Sequence, residues 1–109
     1  MNNSAFAPFG PTYLIGTTAV QVLATNNAGC TSYRVRSLLA TTQYLSWGPA
    51  GPANAAPTIT VTAPGSTTPS AYTLGITPGT VEVFGNLPPN GFFKADIAAA
   101  FEITPGEGL

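Results

Sequence analysis

The chain has 109 residues, a net charge of -1, and only 6% Asp, Glu, Lys or Arg, against about 25% in an average soluble domain. This length indicates one domain with one core. The weak charge leaves no basic surface for nucleic acid or for an anionic membrane. With 12 Gly, 11 Pro and 16 Thr, the composition is typical of a β-protein with an uncharged polar surface.

The residue types that most enzymes need are scarce. There is no His and a single Cys, Cys30, so a catalytic triad, a His-containing zinc site and an internal disulfide are excluded. The acids Glu82, Asp96, Glu102 and Glu107 form no pair in surroundings that suggest a sugar cleft. We therefore expect no enzyme activity, no cofactor, no metal and no small-molecule substrate, and we expect Cys30 to be an inert small residue.

No stretch of the sequence predicts a membrane span or a secretory signal. The longest apolar run, Ile97 to Phe101, has five residues, far short of the ~20 that cross a bilayer. Residues 1–4 lack the basic start and apolar run of a signal peptide. We expect the protein to be made in a cytoplasm.

In chain order, residues 1–11 come first as an arm outside a domain of residues 12–109. The arm carries Phe6 and Phe9 among Ala, Pro and Gly, with no period that predicts a helix or a strand. Two Phe on such a segment must pack either back on the domain or on a neighbouring subunit.

Alternating residues then predict seven or eight short strands, at 13–16, 19–24, 31–38, 43–47, 58–62, 71–76, 80–84 and about 98–104. The clearest alternation is Thr58 to Thr62, with Ile59 and Val61 expected inward. In the last stretch, Ala95 to Ala100 contains good helix formers, but the period of two favours a strand. Loops of small residues at 48–57 and 63–70 interrupt the series, and the first is a candidate functional loop.

Two of the three cations lie on one strand face, because Arg34 and Arg36 alternate with Tyr33 and Val35. This face is either solvated and salt-bridged or in contact with an acidic partner. Glu82 and Glu102, at positions expected to point outward, are candidate salt-bridge partners for Arg34, Arg36 or Lys94.

The lone Trp47 is a filler of the core or of an interface in one interpretation. In the other it forms a sugar-stacking platform with Tyr44 and Tyr72.

One phrase, Ile-Thr-Pro-Gly, occurs at residues 76–79 and again at residues 103–106. Pro fixes φ and biases the preceding Thr toward an extended backbone, while Gly supplies the positive φ of a type II turn. Both copies therefore predict a strand that runs into a tight turn. With the spacing of the strands, this predicts an all-β chain forming a single antiparallel, jelly-roll-like β-sandwich.

Four phrases of the sequence resemble small β-sandwich virion proteins of tailed bacteriophages, of the kind that decorate or cement the capsid. They are residues 32–36 (SYRVR), 44–48 (YLSWG), 78–84 (PGTVEVF) and 101–109 (FEITPGEGL). The resemblance implies a structural protein on the capsid surface of a virion, with the major capsid protein and its own copies, for example in a trimer, as partners. A tail or head-vertex component, or a carbohydrate-binding module, is the alternative. The candidate interface residues are Phe6, Phe9, Arg34, Arg36 and Trp47.

Overall fold

The computed structural model describes residues 6–25, 29–61 and 73–107 and consists of two antiparallel sheets packed face to face. Nine strands lie in these ranges: β1 (Ala7–Pro8), β2 (Tyr13–Ile15), β3 (Val20–Gln21), β4 (Ser32–Ser37), β5 (Gln43–Gly48), β6 (Thr73–Ile76), β7 (Val81–Phe84), β8 (Phe92–Ala95) and β9 (Phe101–Glu107). The described part has no α-helix, and its single 3-10 turn is Pro52–Asn54. The predicted all-β class is confirmed.

The strand order is that of a jelly roll. The first sheet runs β7-β4-β9 and then β1 and β2, which both pair with β9; the second runs β6-β5-β8-β3. Antiparallel pairs nest around the middle of the chain, since β5 pairs with β6, β4 with β7, β3 with β8 and β2 with β9. This nesting is how one long hairpin rolls into two facing sheets, and it confirms the predicted antiparallel sandwich.

The core lies between the sheets and is built from inward residues of both. Fully buried side chains include Tyr33, Val35 and Ile103 from the first sheet and Leu45 and Phe93 from the second. The rings of Tyr33 and Phe93 meet edge to face, with centroids 4.9 Å apart, a geometry that aromatic pairs prefer. The alternation at 31–38 and 43–47 thus predicted two central strands correctly.

The first copy of the repeated phrase forms the predicted turn. Ile76 ends β6, the backbone N–H of Thr80 donates to the carbonyl of Thr77 at 3.3 Å, and Gly79 has a φ of 77°. Pro at the second position and Gly with positive φ at the third define a type II turn.

The second copy does not turn, and that prediction was wrong. Ile103 to Gly106 lie inside β9, which continues to Glu107. The carbonyl of Pro105 accepts a bond from the N–H of Phe9 at 2.8 Å. Since the N–H and C=O of a strand residue point to the same side, the N–H that Pro105 lacks would also face the arm. The ladder between β9 and β4 is therefore not interrupted by the proline.

Two other predicted strands differ from the structure. Residues 58–61 have alternating exposure but form no ladder; their backbone lies across the second sheet, where the Lys94 ammonium donates to the Ile59 carbonyl at 3.0 Å. The last strand begins at Phe101 rather than near Ala98, because Ala99 adopts a φ of 52° in the turn before it. Thr62, the loop at 63–70 and Tyr72 are outside the described residues.

Candidate protein interface

The outer face of the first sheet carries three of the seven charged side chains of the chain, those of Arg34, Arg36 and Glu102. Pairing places Arg34 opposite Thr104 and Arg36 opposite Glu102, while the alternate residues Tyr33, Val35 and Ile103 are fully buried. The prediction that Arg34 and Arg36 share a face away from the core is confirmed.

Apolar side chains surround these charges on the same face. Val83 and Val81 lie opposite Arg34 and Arg36 on β7, and Leu14 lies opposite Glu102 on β2. Leu14 is 58% exposed and Val81 48% exposed. We call the surface formed by Leu14, Arg34, Arg36, Val81, Glu102 and Thr104 the outer face.

The expectation that Glu82 points outward was wrong for the face of the sheet that it occupies. Glu82 and Phe84 lie opposite Val35 and Tyr33, so they belong to the inner side of the sheet, and Phe84 packs against the core. Because β7 is an edge strand, Glu82 stays exposed at the rim, in a groove of about 310 Å³ that it shares with Leu74 and Ile76. It cannot reach Arg34 or Arg36 across the sheet.

The predicted salt bridge does form for Glu102. Its carboxylate accepts from the Arg36 guanidinium at 3.0 Å, with both side chains well exposed. A pair this exposed contributes about 0–1 kcal/mol to stability. It is the only ion pair between residues that the structure describes, so Arg34 has no acidic partner among them.

The arm is attached to the first sheet by backbone pairing. Ala7 and Pro8 pair with Glu107 and Gly106, although the sequence predicted no strand here. The Phe9 carbonyl, which the missing N–H of Pro105 would otherwise face, accepts from the Thr25 N–H at 2.7 Å and the Thr25 hydroxyl at 3.2 Å. The Phe9 carbonyl, which has no N–H partner on Pro105, is therefore satisfied by Thr25.

Gly106 allows the arm to cross the outer face. A Cβ atom at this position would overlap the Ala7 carbonyl oxygen and the Phe6 ring. The ring of Phe6 therefore lies where an ordinary side chain of β9 would stand, and it is partly buried there. A glycine inside a strand often marks such a close approach, which is a signal that the sequence contained.

Between the arm and β4 lies an open cavity of about 560 Å³. We call it the arm cavity; it is lined by Phe6, Pro8, Gly10, Pro11, Thr12, Arg34 and Thr104. The hydroxyls of Thr12 and Thr104 are 2.7 Å apart, and either can be the donor. Its side chains offer a guanidinium, hydroxyls and apolar atoms, a set suited to binding rather than to proton transfer or nucleophilic attack.

The structure brings together some of the five predicted interface residues and separates others. Phe6 and Arg34 both line the arm cavity, Phe9 anchors the arm beside it, and Arg36 lies two residues along β4. Trp47 lies on β5 in the second sheet, partly buried against the core, and lines a separate cavity of about 280 Å³ with Pro49, Asn86 and Pro88. Thr12 and Thr104 were not identified from the sequence, because two isolated threonines among 16 carry no pattern.

A sugar-stacking platform of Tyr44 and Trp47 is not supported by their placement. Leu45 is buried on the inner side of β5, and Trp47 shares its side, whereas Tyr44 points to the opposite face. The third proposed member, Tyr72, is outside the described residues.

Cys30 lies just before β4 and is buried. Burial raises the pKa of its thiol, and the nearby Glu107 carboxylate raises it further. A raised pKa keeps the thiol protonated at neutral pH, which lowers its nucleophilicity.

Within the described residues, no three Cys, Asp or Glu side chains form a group that could hold a metal ion. No helix in that part is long and apolar enough to cross a membrane. No protein-family model, curated protein or solved structure matches the chain.

Proposed function

We propose that this chain is a non-enzymatic structural protein of a bacteriophage particle, which attaches to the capsid lattice through its outer face and arm. The proposal begins from the resemblance of its strand phrases to capsid decoration and cement proteins. On this hypothesis it acts in many copies on the virion surface, and its partners are the major capsid protein and other copies of itself.

The observation that supports it most is the composition of the outer face. Interface centres combine exposed apolar side chains with Arg and few other charges. Leu14 and Val81 provide the apolar part, and Arg34 lies among them without an acidic partner in the described chain. Arg36 and Glu102 already balance each other there, so Arg34 is the charge that a partner covering this face would have to pair.

The jelly-roll fold is compatible with this function but does not establish it. The same fold occurs in viral capsid proteins, lectins and cupin enzymes. The choice among them therefore rests on the chemistry of the outer face and of the arm cavity, where binding groups are present.

The test is to add purified protein to bacteriophage particles that lack it. We expect saturable, stoichiometric uptake at micromolar protein and an increase in the temperature at which the particles disrupt. No uptake at micromolar concentration would reject the proposal.

Cryo-electron microscopy of intact particles would distinguish the capsid position from the alternative at the tail or the head vertex. We expect a copy number that follows the capsid lattice, whereas a few copies at one vertex or along the tail would favour the alternative.

A further inference from the structure

We propose that the arm cavity binds the carboxylate of an acidic side chain presented by the major capsid protein, and that Arg34 is the residue that pairs with it. This inference rests on the proposed function, since it takes the occupant of the cavity to be a side chain of a protein.

The two arginines of β4 differ in what they contact. Arg36 is paired with Glu102 at 3.0 Å, so its charge is already balanced. Arg34, two residues away, lines the cavity and has no carboxylate partner among the described residues. A guanidinium presents N–H groups in a planar fork that matches a carboxylate with two parallel bonds.

The hydroxyls beside Arg34 add a further donor. Thr12 and Thr104 bond to each other at 2.7 Å, and this bond uses only one of their two O–H groups. The other O–H remains available to a carboxylate oxygen in the same cavity. Thr104 is directly opposite Arg34 in the sheet, which places both donors on one side of the cavity.

The remaining walls are apolar. Phe6, Pro8 and Pro11 line the cavity together with Gly10, and a bound side chain would displace water from them. Because ion pairs are stronger where water is excluded, these walls favour a carboxylate that arrives on a carbon stem over a free small ion.

The number of cations indicates a singly charged ligand. Arg34 is the only cation among the described residues that line the cavity, while Lys94 lies on β8 in the second sheet and donates to the Ile59 carbonyl. Phosphate-binding sites usually combine several donors with more positive charge. One guanidinium with one hydroxyl fits a carboxylate better.

The site can be tested on the isolated protein by nuclear magnetic resonance of the two arginine Nε–H groups. Blocked glutamate, N-acetylglutamate amide, is the probe, and N-acetylglutamine amide is its neutral control. We expect a saturable shift of the Arg34 signal with the glutamate probe and at least a tenfold weaker response with the glutamine control. Equal responses to both probes would overturn the proposal.

Substitutions on β4 provide the matched comparison. Because Arg34→Gln lacks the Arg34 Nε–H group, binding to it is followed by the backbone amides of lining residues such as Gly10, Thr12 and Thr104, and their probe-induced shifts should disappear. Arg34→Lys should keep the charge but weaken binding several-fold, because the planar fork of the guanidinium is lost. As a control outside β4, Lys94→Gln on the second sheet removes a charge of the same sign from a residue that does not line the cavity, and it should leave the binding constant within about twofold. Binding that survives Arg34→Gln in a folded protein would contradict the assignment.

Sedimentation over a range of protein concentrations identifies the source of the acid. If the protein is a monomer and its uptake by particles falls about tenfold with Arg34→Gln, the acidic side chain comes from a protein of different sequence, as proposed. Self-association that Arg34→Gln abolishes would mean that a second copy supplies the acid, and would overturn the choice of partner. Binding of blocked glutamate without any uptake by particles would support the site and reject the capsid function.

Discussion

At the scale of single residues, Tyr33 links the core to the loop before β8. Its ring is fully buried; its hydroxyl donates to the Pro88 carbonyl at 2.5 Å and accepts from the Gly91 N–H at 3.2 Å. The alternation in the sequence placed Tyr33 on the opposite strand face from Arg34. It could not predict the partners of the hydroxyl, which lie 55 and 58 residues away along the chain.

We expect Tyr33→Phe to lower the free energy of unfolding by about 1–3 kcal/mol, because the buried N–H of Gly91 and the partly buried carbonyl of Pro88 lose their partner. Urea denaturation would measure it. Tyr13→Phe is the control, since the Tyr13 hydroxyl makes only a long, exposed bond of 3.5 Å to the Leu23 carbonyl. A similar decrease in the free energy of unfolding in both variants would mean that the two bonds of the Tyr33 hydroxyl add nothing to stability beyond an exposed bond.

The ionisation of Tyr33 gives a second prediction. Burial raises the pKa of this phenol, and the bond from Gly91 offsets part of the effect. The unfolded chain therefore releases this proton first, at about pH 10, and the folded state is then the one that binds more protons. Stability should fall as pH rises above about 10, and the fall should be shallower in Tyr33→Phe. Identical pH profiles of the two proteins would contradict this coupling.

At the scale of elements, the repeated phrase shows what a local pattern determines. Ile-Thr-Pro-Gly forms a type II turn after β6 and a strand interior in β9. The four residues permit both conformations, and pairing with neighbouring strands determines which one forms. The second copy pairs with β4 on one side and with the arm on the other, so it stays extended. Those partners are distant in sequence, so the local pattern could not indicate which copy would turn.

The two glycines of the phrase should respond differently to substitution by Ala. Gly79→Ala places a side chain at a φ of 77° with nothing within 4 Å, which should cost about 1 kcal/mol of backbone strain. Gly106→Ala makes no such demand on φ but overlaps the arm, and an overpacked site costs about 1–3 kcal/mol.

Proteolysis and denaturation together would check this pair. Only Gly106→Ala should make the arm accessible to protease. Gly85→Ala is the control, because its added carbon would lie at an ordinary 3.8 Å from the Ser32 hydroxyl. It should resemble the parent protein in both assays. A protected arm in Gly106→Ala would show that Phe6 does not depend on the glycine.

The arm itself should contribute to stability as well as to assembly. Deleting residues 1–10 removes β1 and the bonds of Phe9 to Pro105 and Thr25, and it uncovers Gly106. We expect a loss of about 2–4 kcal/mol from these bonds and from the apolar contacts of Phe6 and Phe9, with the domain still folded and uptake by particles weakened.

Deleting only residues 1–5 provides the control for this variant. It leaves β1 and the bonds of Phe9 in place, so the difference in the midpoint of denaturation between the two deletions measures what residues 6–10 contribute. Equal midpoints of the two deletion variants would mean that residues 6–10 are not part of the folded unit.

At the scale of the whole molecule, composition and strand spacing were enough to predict the sandwich. Alternation separated the two faces of a strand, but it could not say which face is inward where a strand lies at an edge. On β7 the apolar pair Val81 and Val83 is outward, because Glu82 lies beyond the rim of the core. At 58–61 the same alternation came from packing on the second sheet rather than from a ladder.

The candidate site was predictable only in part, for a related reason. Arg34 and Phe6 were selected from the sequence as exposed or unpaired groups, yet they lie 28 positions apart in the chain. Their meeting depends on β1 and β4 flanking β9, and that requires the topology of the whole sandwich. The arm cavity therefore could not be predicted from any one segment, because its lining residues come from the arm, β4 and β9.

Binding of the outer face to the capsid lattice can be measured by co-sedimentation of variants of that face with particles that lack the protein. Leu14→Asp adds a charge at the 58%-exposed position of the outer face, and Ile97→Asp adds one at a 45%-exposed position in the turn before β9. We predict at least tenfold weaker uptake for Leu14→Asp and unchanged uptake for Ile97→Asp. Equal uptake of the two folded variants would contradict binding through the outer face.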